Sequence, residues 1–254
     1  MGDTVVNTDV KQVGSENALV IAVSHGAVFG AEDEDVHGVA FPLLQAVQKV
    51  NERLQQLKSS DSEPVQLEVV LICTNRAQQQ QRDQVQTRTR AQGLQIHKFS
   101  FSCEDDFTDS LLENKVHLFL TTNSDEATQA ANKGVLSAVL DPESACGPSE
   151  KLRIMFCGDA ISDPGAESMS GSRQAKQVFW SHLGKIRQKF GVEDSPLTLV
   201  LLSSHGGIDG CCSALRSLRT AGLNVDEAYC LGGSPRKLIM SVLRPHFLLG
   251  APEE

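Results

Sequence analysis

Short apolar runs rich in β-branched residues recur along the chain and are separated by longer, more polar segments. Several of these runs are apolar almost throughout, which is typical of strands covered on both faces of a parallel sheet. The predicted strands are ALVIAVS (18–24), LEVVLIC (67–73), LQIHKFSF (94–101), VHLFLTT (116–122), LRIMF (152–156), LTLVLL (197–202) and AYCLG (228–232).

The segments between the predicted strands carry helical periodicity. In FPLLQAVQKVNERLQQL (41–57), the apolar residues Leu44, Val47, Val50 and Leu54 recur at the spacing of one helix face. Segments 213–223 and 235–246 show the same pattern, and the Gln-rich segment 78–92 predicts a solvated helix. This alternation predicts an α/β fold with a doubly wound, mostly parallel sheet.

The distribution of polar residues indicates the domain organisation. Residues 1–17 are polar, lack the apolar core of a signal peptide and are predicted to form a flexible N-terminal tail. Residues 18–254 are predicted to form a single domain, because their length fits one large α/β unit. The Gly/Ser-rich segment 162–175 directly follows the strand 152–156 and predicts a mobile loop.

Charge and cysteine content narrow the functional classes. The chain has 254 residues and a net charge of −9. An acidic surface repels phosphate backbones, so neither a nucleic-acid nor a membrane partner is expected. No apolar run approaches membrane-spanning length. The seven cysteines form no CxxC pair, which predicts reduced thiols in a cytoplasmic protein rather than a disulfide framework or a zinc site.

Three predicted strand ends carry side chains that can react or bind a ligand. Ligands collect at such ends in parallel α/β folds. The strand 152–156 is followed by Cys157, Gly158 and Asp159, and the strand 197–202 by Ser203 and Ser204. The segment GGSPRK (232–237) opens the last predicted helix. An acidic strand end, neighbouring hydroxyls and a cation at a helix N-terminus together predict a phosphate site of the kind used in phosphoryl transfer.

Each of these features also has a purely structural interpretation. Ser203 begins a Ser/Gly-rich stretch that can be a simple turn. Ser234 before Pro235 is typical of a helix start, with Ser as the N-cap. Cys157 can be a small buried hydrophobe. Cys157, Cys211 and Cys212 are not followed six positions later by the Arg of the cysteine phosphatase loop, and the sequence contains neither a GxSxG elbow nor a Walker A loop.

These stretches together resemble the cytosolic type I 5′-nucleotidases, which are AMP-preferring, magnesium-dependent phosphatases of the haloacid-dehalogenase type. The resemblance is carried by ALVIAVSHGAVF, AFPLLQAVQKVNERL, VVLICTNRAQ and LRIMFCGDA, and most densely by LRSLRTAGLNVDEAYCLGGSPRKLIMSVLRPH. It implies a haloacid-dehalogenase-like fold. The segment after the nucleophile motif is shorter here than in the family, so the resemblance implies a reduced cap within 162–190.

The resemblance also implies roles for individual residues. The family segment FDGDAV corresponds to FCGDAI (156–161) here. Asp159 therefore matches the general acid and base, which also helps to hold Mg²⁺, whereas Cys157 stands where the nucleophilic Asp is expected. Ser203, with Ser204 beside it, and Arg236 match the phosphate-binding Thr and Lys. The two late metal-binding carboxylates are replaced by Gly250 and Ala251.

These departures imply a weak or inactive nucleotidase, because a thiol is too soft a ligand for Mg²⁺ and the nucleophilic carboxylate is lost. The Mg²⁺ site would be incomplete, with Asp159 as its remaining ligand. A nucleoside monophosphate can still be a ligand of such a protein. One alternative is a regulatory or interaction protein that uses the scaffold without ligand, as a homo-oligomer or a hetero-oligomer with related nucleotidases. Another is a working phosphatase with altered chemistry, through Cys157 as its nucleophile or through another metal arrangement.

Overall fold

A computed structural model describes most of the chain. The described residues are 3–12, 17–30, 37–57, 65–74, 82–102, 107–141, 150–158, 161, 173–191, 194–204 and 208–250. They form an α/β fold with two sheets of mostly parallel strands, so the prediction of a mostly parallel α/β fold is confirmed.

The first sheet contains six strands. They are β1 (Asp3–Val6), β2 (Ala18–Ser24), β3 (Gln66–Cys73), β4 (Lys98–Phe101), β5 (Leu118–Thr121) and β6 (Leu136–Val139). Their spatial order is β1-β4-β3-β2-β5-β6, and only the edge strand β1 runs antiparallel to its neighbour. The central strands β2 and β3 are buried along their whole length, as their continuous apolar runs predict.

The second sheet contains four parallel strands in the order β10-β7-β8-β9. They are β7 (Leu152–Cys157), β8 (Leu197–Ser203), β9 (Glu227–Cys230) and β10 (Phe247–Leu249). Strand β10 lies beside β6, so the second sheet continues from the edge of the first.

The described helices are α1 (His25–Val28), α2 (Phe41–Gln56), α3 (Arg82–Ala91), α4 (Phe107–Glu113), α5 (Ser124–Asn132), α6 (Arg173–Gln188), α7 (Ile208–Thr220) and α8 (Arg236–Leu243). Helix α2 contacts β3 of the first sheet and β7 of the second, so it joins the two sheets, and helix α6 contacts β2. Within the described part of the chain, no helix has both the length and the apolar character needed to cross a membrane.

One hydrophobic core extends across both sheets. It includes Ile21 and Leu71 from the first sheet, Phe156 and Leu199 from the second, and Phe179 from α6. The other face of the first sheet is covered by α4 and α5 through a separate buried cluster. The other face of the second sheet holds only a small buried cluster, formed by Met155, Val200 and Leu202.

A repeated pair of hydrogen bonds, which we call the strand-start clasp, joins parallel strands where one of them begins. The residue just before a strand donates its backbone N–H to a carbonyl of the neighbouring strand, and its side chain accepts the N–H of that same neighbour residue. The four clasps pair His97 with Val69, His117 with Val20, Asp226 with Leu199, and His246 with Arg153, over distances of 2.8–3.1 Å. A histidine in this role accepts through Nδ1 and must be unprotonated there.

Two predictions about the chain's organisation require correction. The predicted N-terminal tail, residues 1–17, contributes β1, because Asp3–Val6 pairs with the edge of β4. In the predicted mobile or cap segment 162–190, residues 173–188 form α6, whose Phe179, Leu183 and Ile186 are fully buried. Residues 162–172 lie outside the described part of the chain, and the single-domain boundary at residue 18 stays a prediction.

Candidate functional site

The carboxyl end of β7 places Cys157 at the edge of the second sheet. Cys157 is the last residue of the strand, is 2% exposed, and lies opposite Leu202 of β8 in the parallel register. It is a buried thiol at a strand end, which agrees with both the structural interpretation and the interpretation as a replaced nucleophile.

Gly158 allows a close approach between the ends of β7 and β8. A Cβ atom at this position would lie 3.3 Å from the Cβ atom of Ser203 and 3.4 Å from the backbone oxygen of Leu202. The distance to Ser203 is tighter than most real Cβ contacts, so with a larger residue the Ser203 side chain would have to shift by a few tenths of an ångström. The glycine therefore brings Cys157 and Ser203 to one edge of the sheet.

The loop from β9 to α8 is held against the end of β8. Leu231 donates its backbone N–H to the oxygen of Ser203 at 2.8 Å, and Gly233 donates to the oxygen of Ser204 at 3.1 Å. Gly232 and Gly233 have φ values of 60° and 88°, a left-handed conformation in which L side chains are strained. Two adjacent glycines are therefore needed to turn the chain back onto the serines.

Arg236 completes this cluster from the first residue of α8. Its Nε atom donates a 2.9 Å hydrogen bond to the hydroxyl oxygen of Ser204. The N-cap of α8 is Pro235, with no side-chain capping hydrogen bond, so the interpretation of Ser234 as the N-cap is wrong. The guanidinium thus lies at the positive end of the helix dipole, an arrangement that favours an anion.

The structure brings Cys157, Ser203, Ser204 and Arg236 to the same edge of the second sheet, and their predicted roles in catalysis and phosphate binding stay predictions. Asp159, the predicted general acid and metal ligand, lies outside the described residues, as does Ala251. Gly250 follows β10 with a φ of 80°.

The described donors do not fit Mg²⁺. They are the Cys157 thiol and the hydroxyls of Ser203 and Ser204, whereas Mg²⁺ prefers carboxylate and water oxygens in octahedral geometry. Within the described ranges, no group of three or more His, Cys, Asp or Glu side chains is arranged to hold a metal ion.

Sequence reasoning missed the role of Gly158. No local motif reveals it, because the contact is with a strand far along the chain.

Comparison with known proteins shows which sequences the chain resembles. The 5′-nucleotidase family matches residues 32–178, a range that contains Cys157 but neither Ser203 nor Arg236. Human cytosolic 5′-nucleotidase 1B is 25% identical over 235 residues, which is 82% of this chain and 38% of that protein. The chain therefore spans well under half of the length of this relative. No solved structure matches the chain significantly.

Proposed function

Because the chain belongs to the 5′-nucleotidase family, we propose that it is a cytoplasmic protein that binds the phosphate of a nucleoside 5′-monophosphate, with AMP as the first candidate. In this proposal its magnesium-dependent hydrolysis is lost or strongly reduced, and its fold is of the haloacid-dehalogenase type. The observation that supports the proposal most directly is the hydrogen bond from Arg236 to Ser204 at the start of α8, beside the end of β7.

Phosphate binding follows from the chemistry of this edge. Hydroxyl groups on Ser203 and Ser204 can donate to phosphate oxygens, and the Arg236 guanidinium supplies a charge with several fixed N–H donors. The hydrogen bond to Ser204 orients the guanidinium in advance, so less side-chain freedom is lost when the ligand binds. The overall charge of −9 makes such a local cationic site more selective for small anions than for a polyanion.

Loss of hydrolysis follows from Cys157. The thiol provides neither the carboxylate nucleophile of the family nor a hard oxygen ligand for Mg²⁺. Without a metal at the transferring phosphoryl group, the charge that develops in the transition state is poorly stabilised, and that stabilisation is usually the largest contribution to catalysis. Removal of a nucleophile typically lowers kcat by several decades.

Phosphate release from AMP in excess Mg²⁺ tests the catalytic part of the proposal. The wild-type protein and Cys157→Ser should both release phosphate no faster than a protein-free control. Rapid release by wild type that is lost in Cys157→Ser would identify Cys157 as a working nucleophile and refute the inactivity. Cys157→Asp restores the family's carboxylate, and any gain in rate there shows how much of the remaining site is intact.

Thermal stabilisation by AMP tests the binding part separately. A ligand at about 100 times its Kd stabilises the folded state by about 2.7 kcal/mol. Arg236→Gln should weaken AMP binding about tenfold or more, because it removes a charged hydrogen-bond donor. Lys237→Gln is the matched control, since Lys237 is the next residue of α8 and is exposed. Equal effects of the two substitutions, or no stabilisation of wild type by AMP, would refute the binding site.

A second candidate function is that of a regulatory or interaction protein that uses the scaffold without ligand. The exposed side chains of α8 favour it: Leu238 is 67% exposed, Val242 is 74% exposed, and the helix buries none of its residues. A protein of this class would show no stabilisation by AMP. It would instead associate with itself or with a related nucleotidase in sedimentation experiments, and Leu238→Asp should abolish the association.

A further inference from the structure

A cavity of about 410 Å³ lies between the first sheet and the C-terminal half of α6. It is lined by the beginning of β2, by Val65 just before β3, and by one side of α6, whereas the candidate functional site lies at the ends of β7 and β8. Its volume falls in the range of pockets that hold small organic ligands, about 300–1,000 Å³.

The lining of this cavity combines apolar and polar side chains. Leu19 is 1% exposed and belongs to the core that both sheets share, and Val65 packs against the same core. Asn17 and Gln188 add side-chain amides. This composition is typical of a ligand pocket, in which apolar contacts provide affinity and a few polar groups fix the orientation of the ligand.

Two lysines give the cavity a positive charge. Lys185 lies in the last turn of α6 and Lys189 one turn later, directly after the helix ends, and both are exposed. Arg187, between them, forms an ion pair with Asp226 at 2.6 Å. Within the described ranges, neither lysine forms an ion pair, and no Asp or Glu lines the cavity.

The same lysines also have a structural interpretation. Cations at a helix C-terminus stabilise the helix, because they compensate for the negative end of its dipole. That role explains the charge of Lys185 and Lys189, but it does not explain why a cavity without a described carboxylate lies beside them. In a chain with a net charge of −9, this local positive charge favours an anion from solution.

His182 adds a ring nitrogen to the cavity. Its Nδ1 atom donates a 2.9 Å hydrogen bond to the carbonyl oxygen of Val178, one turn earlier in α6, so Nε2 is the ring nitrogen left for a ligand. The ring packs against that of His117, with 4.6 Å between the centroids, and Nδ1 of His117 accepts the backbone N–H of Val20. The His182 ring is therefore oriented before a ligand binds.

We propose that this cavity binds a small organic phosphate monoester. The phosphate lies between the ammonium groups of Lys185 and Lys189, and the organic part lies against Leu19 and Val65. A phosphate monoester carries about −1.5 to −2 charge at pH 7, which the two ammonium groups balance. Residues one helical turn apart have Cβ atoms about 5–6 Å from each other, so one phosphate group can contact both side chains. The proposal does not depend on nucleotide binding at the candidate functional site.

Calorimetric titration of the full chain with ribose 5-phosphate at pH 7 tests the proposal, because this probe has the phosphate group without a nucleobase. Lys185→Gln and Lys189→Gln should each weaken binding about fivefold or more, since each removes a charged hydrogen-bond donor. Lys49→Gln is the matched control and should leave the affinity unchanged, because Lys49 is an exposed lysine of α2 outside the cavity. No binding by wild type, or equal affinities in all three variants, would overturn the proposal.

Arg236→Gln separates this cavity from the candidate functional site. Binding of ribose 5-phosphate in the cavity should persist in this variant with the same sensitivity to Lys185 and Lys189. Binding that is lost in Arg236→Gln and unaffected by the two lysine substitutions would assign the probe to the candidate functional site. That result would overturn the present proposal and support the proposed function.

Gln188→Trp tests whether the ligand lies inside the cavity. The larger side chain fills the space without changing the charge, so the affinity for ribose 5-phosphate should fall about tenfold or more. Unchanged binding would mean that the lysines attract the anion at the open surface, and it would overturn the proposal. Succinate is the second probe, since it is a dianion without phosphate. Succinate binding as tight as that of ribose 5-phosphate would overturn the assignment of a phosphate monoester.

Discussion

The first sheet is covered on both faces, whereas the second sheet is well covered on one face and thinly covered on the other. In the first sheet, every residue of β2 and β3 is buried. In the second, β9 is exposed at three of its four residues, and α8, which packs over that face, buries none of its own residues. The described residues of the candidate functional site all lie in the second sheet and its helices.

This difference separates the part of the molecule that provides stability from the part that offers a surface. Apolar side chains covered on both faces contribute most of the hydrophobic free energy. A thinly covered element contributes less and opens locally at lower cost in free energy, which suits binding loops. The site is nevertheless anchored, because β7 and β8 lie in the core that both sheets share.

The largest expected effect on stability comes from truncating one leucine in each of the two regions. Leu71 in β3 is 0% exposed and Leu238 in α8 is 67% exposed. Leu71→Ala should lower the free energy of unfolding by about 2–5 kcal/mol, because it leaves a cavity in the core. Leu238→Ala should change it by less than about 0.5 kcal/mol. Urea denaturation of both variants measures the difference.

The same two variants can also contradict the difference in coverage between the two sheets. A loss of stability in Leu238→Ala that approaches the loss in Leu71→Ala would mean that α8 is covered in the folded protein, for example by a second copy of the chain. Dilution of the sample would then reveal the contact, since stability that comes from association depends on protein concentration.

A smaller effect is expected at the contact between α6 and the end of α7. A Cβ atom on Gly184 of α6 would overlap the backbone oxygen of Gly222, while a Cβ atom on Gly210 of α7 would meet no atom within 4 Å. Gly184→Ala should therefore lower the free energy of unfolding by about 1–3 kcal/mol. Gly210→Ala should leave it unchanged or raise it by up to about 1 kcal/mol through helix propensity.

Thermal or urea unfolding of the two glycine variants measures whether their changes in the free energy of unfolding have opposite signs. Both substitutions add the same methyl group to a helix, so helix propensity alone would make both of them favourable. A stabilised Gly184→Ala would show that α6 can move away from Gly222, and that this link between the two regions is loose.

Sequence patterns predicted the strongly buried elements and missed the short ones. Continuous apolar runs identified β2, β3, β7 and β8, because strands buried on both faces leave a signal in every residue. Strands β6 and β10 have only four and three residues, too few for any periodicity. Strand β1 has a polar sequence context, and its position is decided by pairing with the edge of β4.

The candidate site was predictable in outline but not in its contacts. The rule that ligands collect at strand ends selected Cys157 and Ser203 from sequence. The hydrogen bond from Arg236 to Ser204 was not predictable, because it depends on the left-handed turn at Gly232 and Gly233. Helix α6 was missed because its Gly/Ser-rich beginning resembles a loop, although its buried Phe179 and Leu183 have helical spacing.

The last prediction concerns the pH dependence that the strand-start clasps cause, and these clasps occur in both sheets. Burial lowers the pKa of His97 to about 4, with Glu68 opposing and Lys98 reinforcing this effect. Burial also lowers the pKa of His117 and of His246 to about 4. Between pH 6.5 and 4 the unfolded chain therefore binds protons at these positions that the folded chain does not. Their contribution to stability is fully present above pH 6.5 and is lost as the pH falls towards 4.

His97→Asn tests this in the first sheet. Asn retains an oxygen acceptor for the N–H of Val69 but does not titrate, and the side-chain oxygen of Asn51 already accepts the backbone N–H of Leu67 in this way. Between pH 6.5 and 4 the free energy of unfolding should depend less steeply on pH in the variant than in wild type. The slope should decrease by up to about 1.4 kcal/mol per pH unit. His37→Asn is the control, because His37 is exposed. An unchanged slope in His97→Asn would mean that folding does not lower the pKa of His97. If His246→Asn changes the slope as much as His97→Asn does, then burial lowers the pKa of the clasp histidine equally in both sheets. The contrast between the two regions is then confined to β9 and α8.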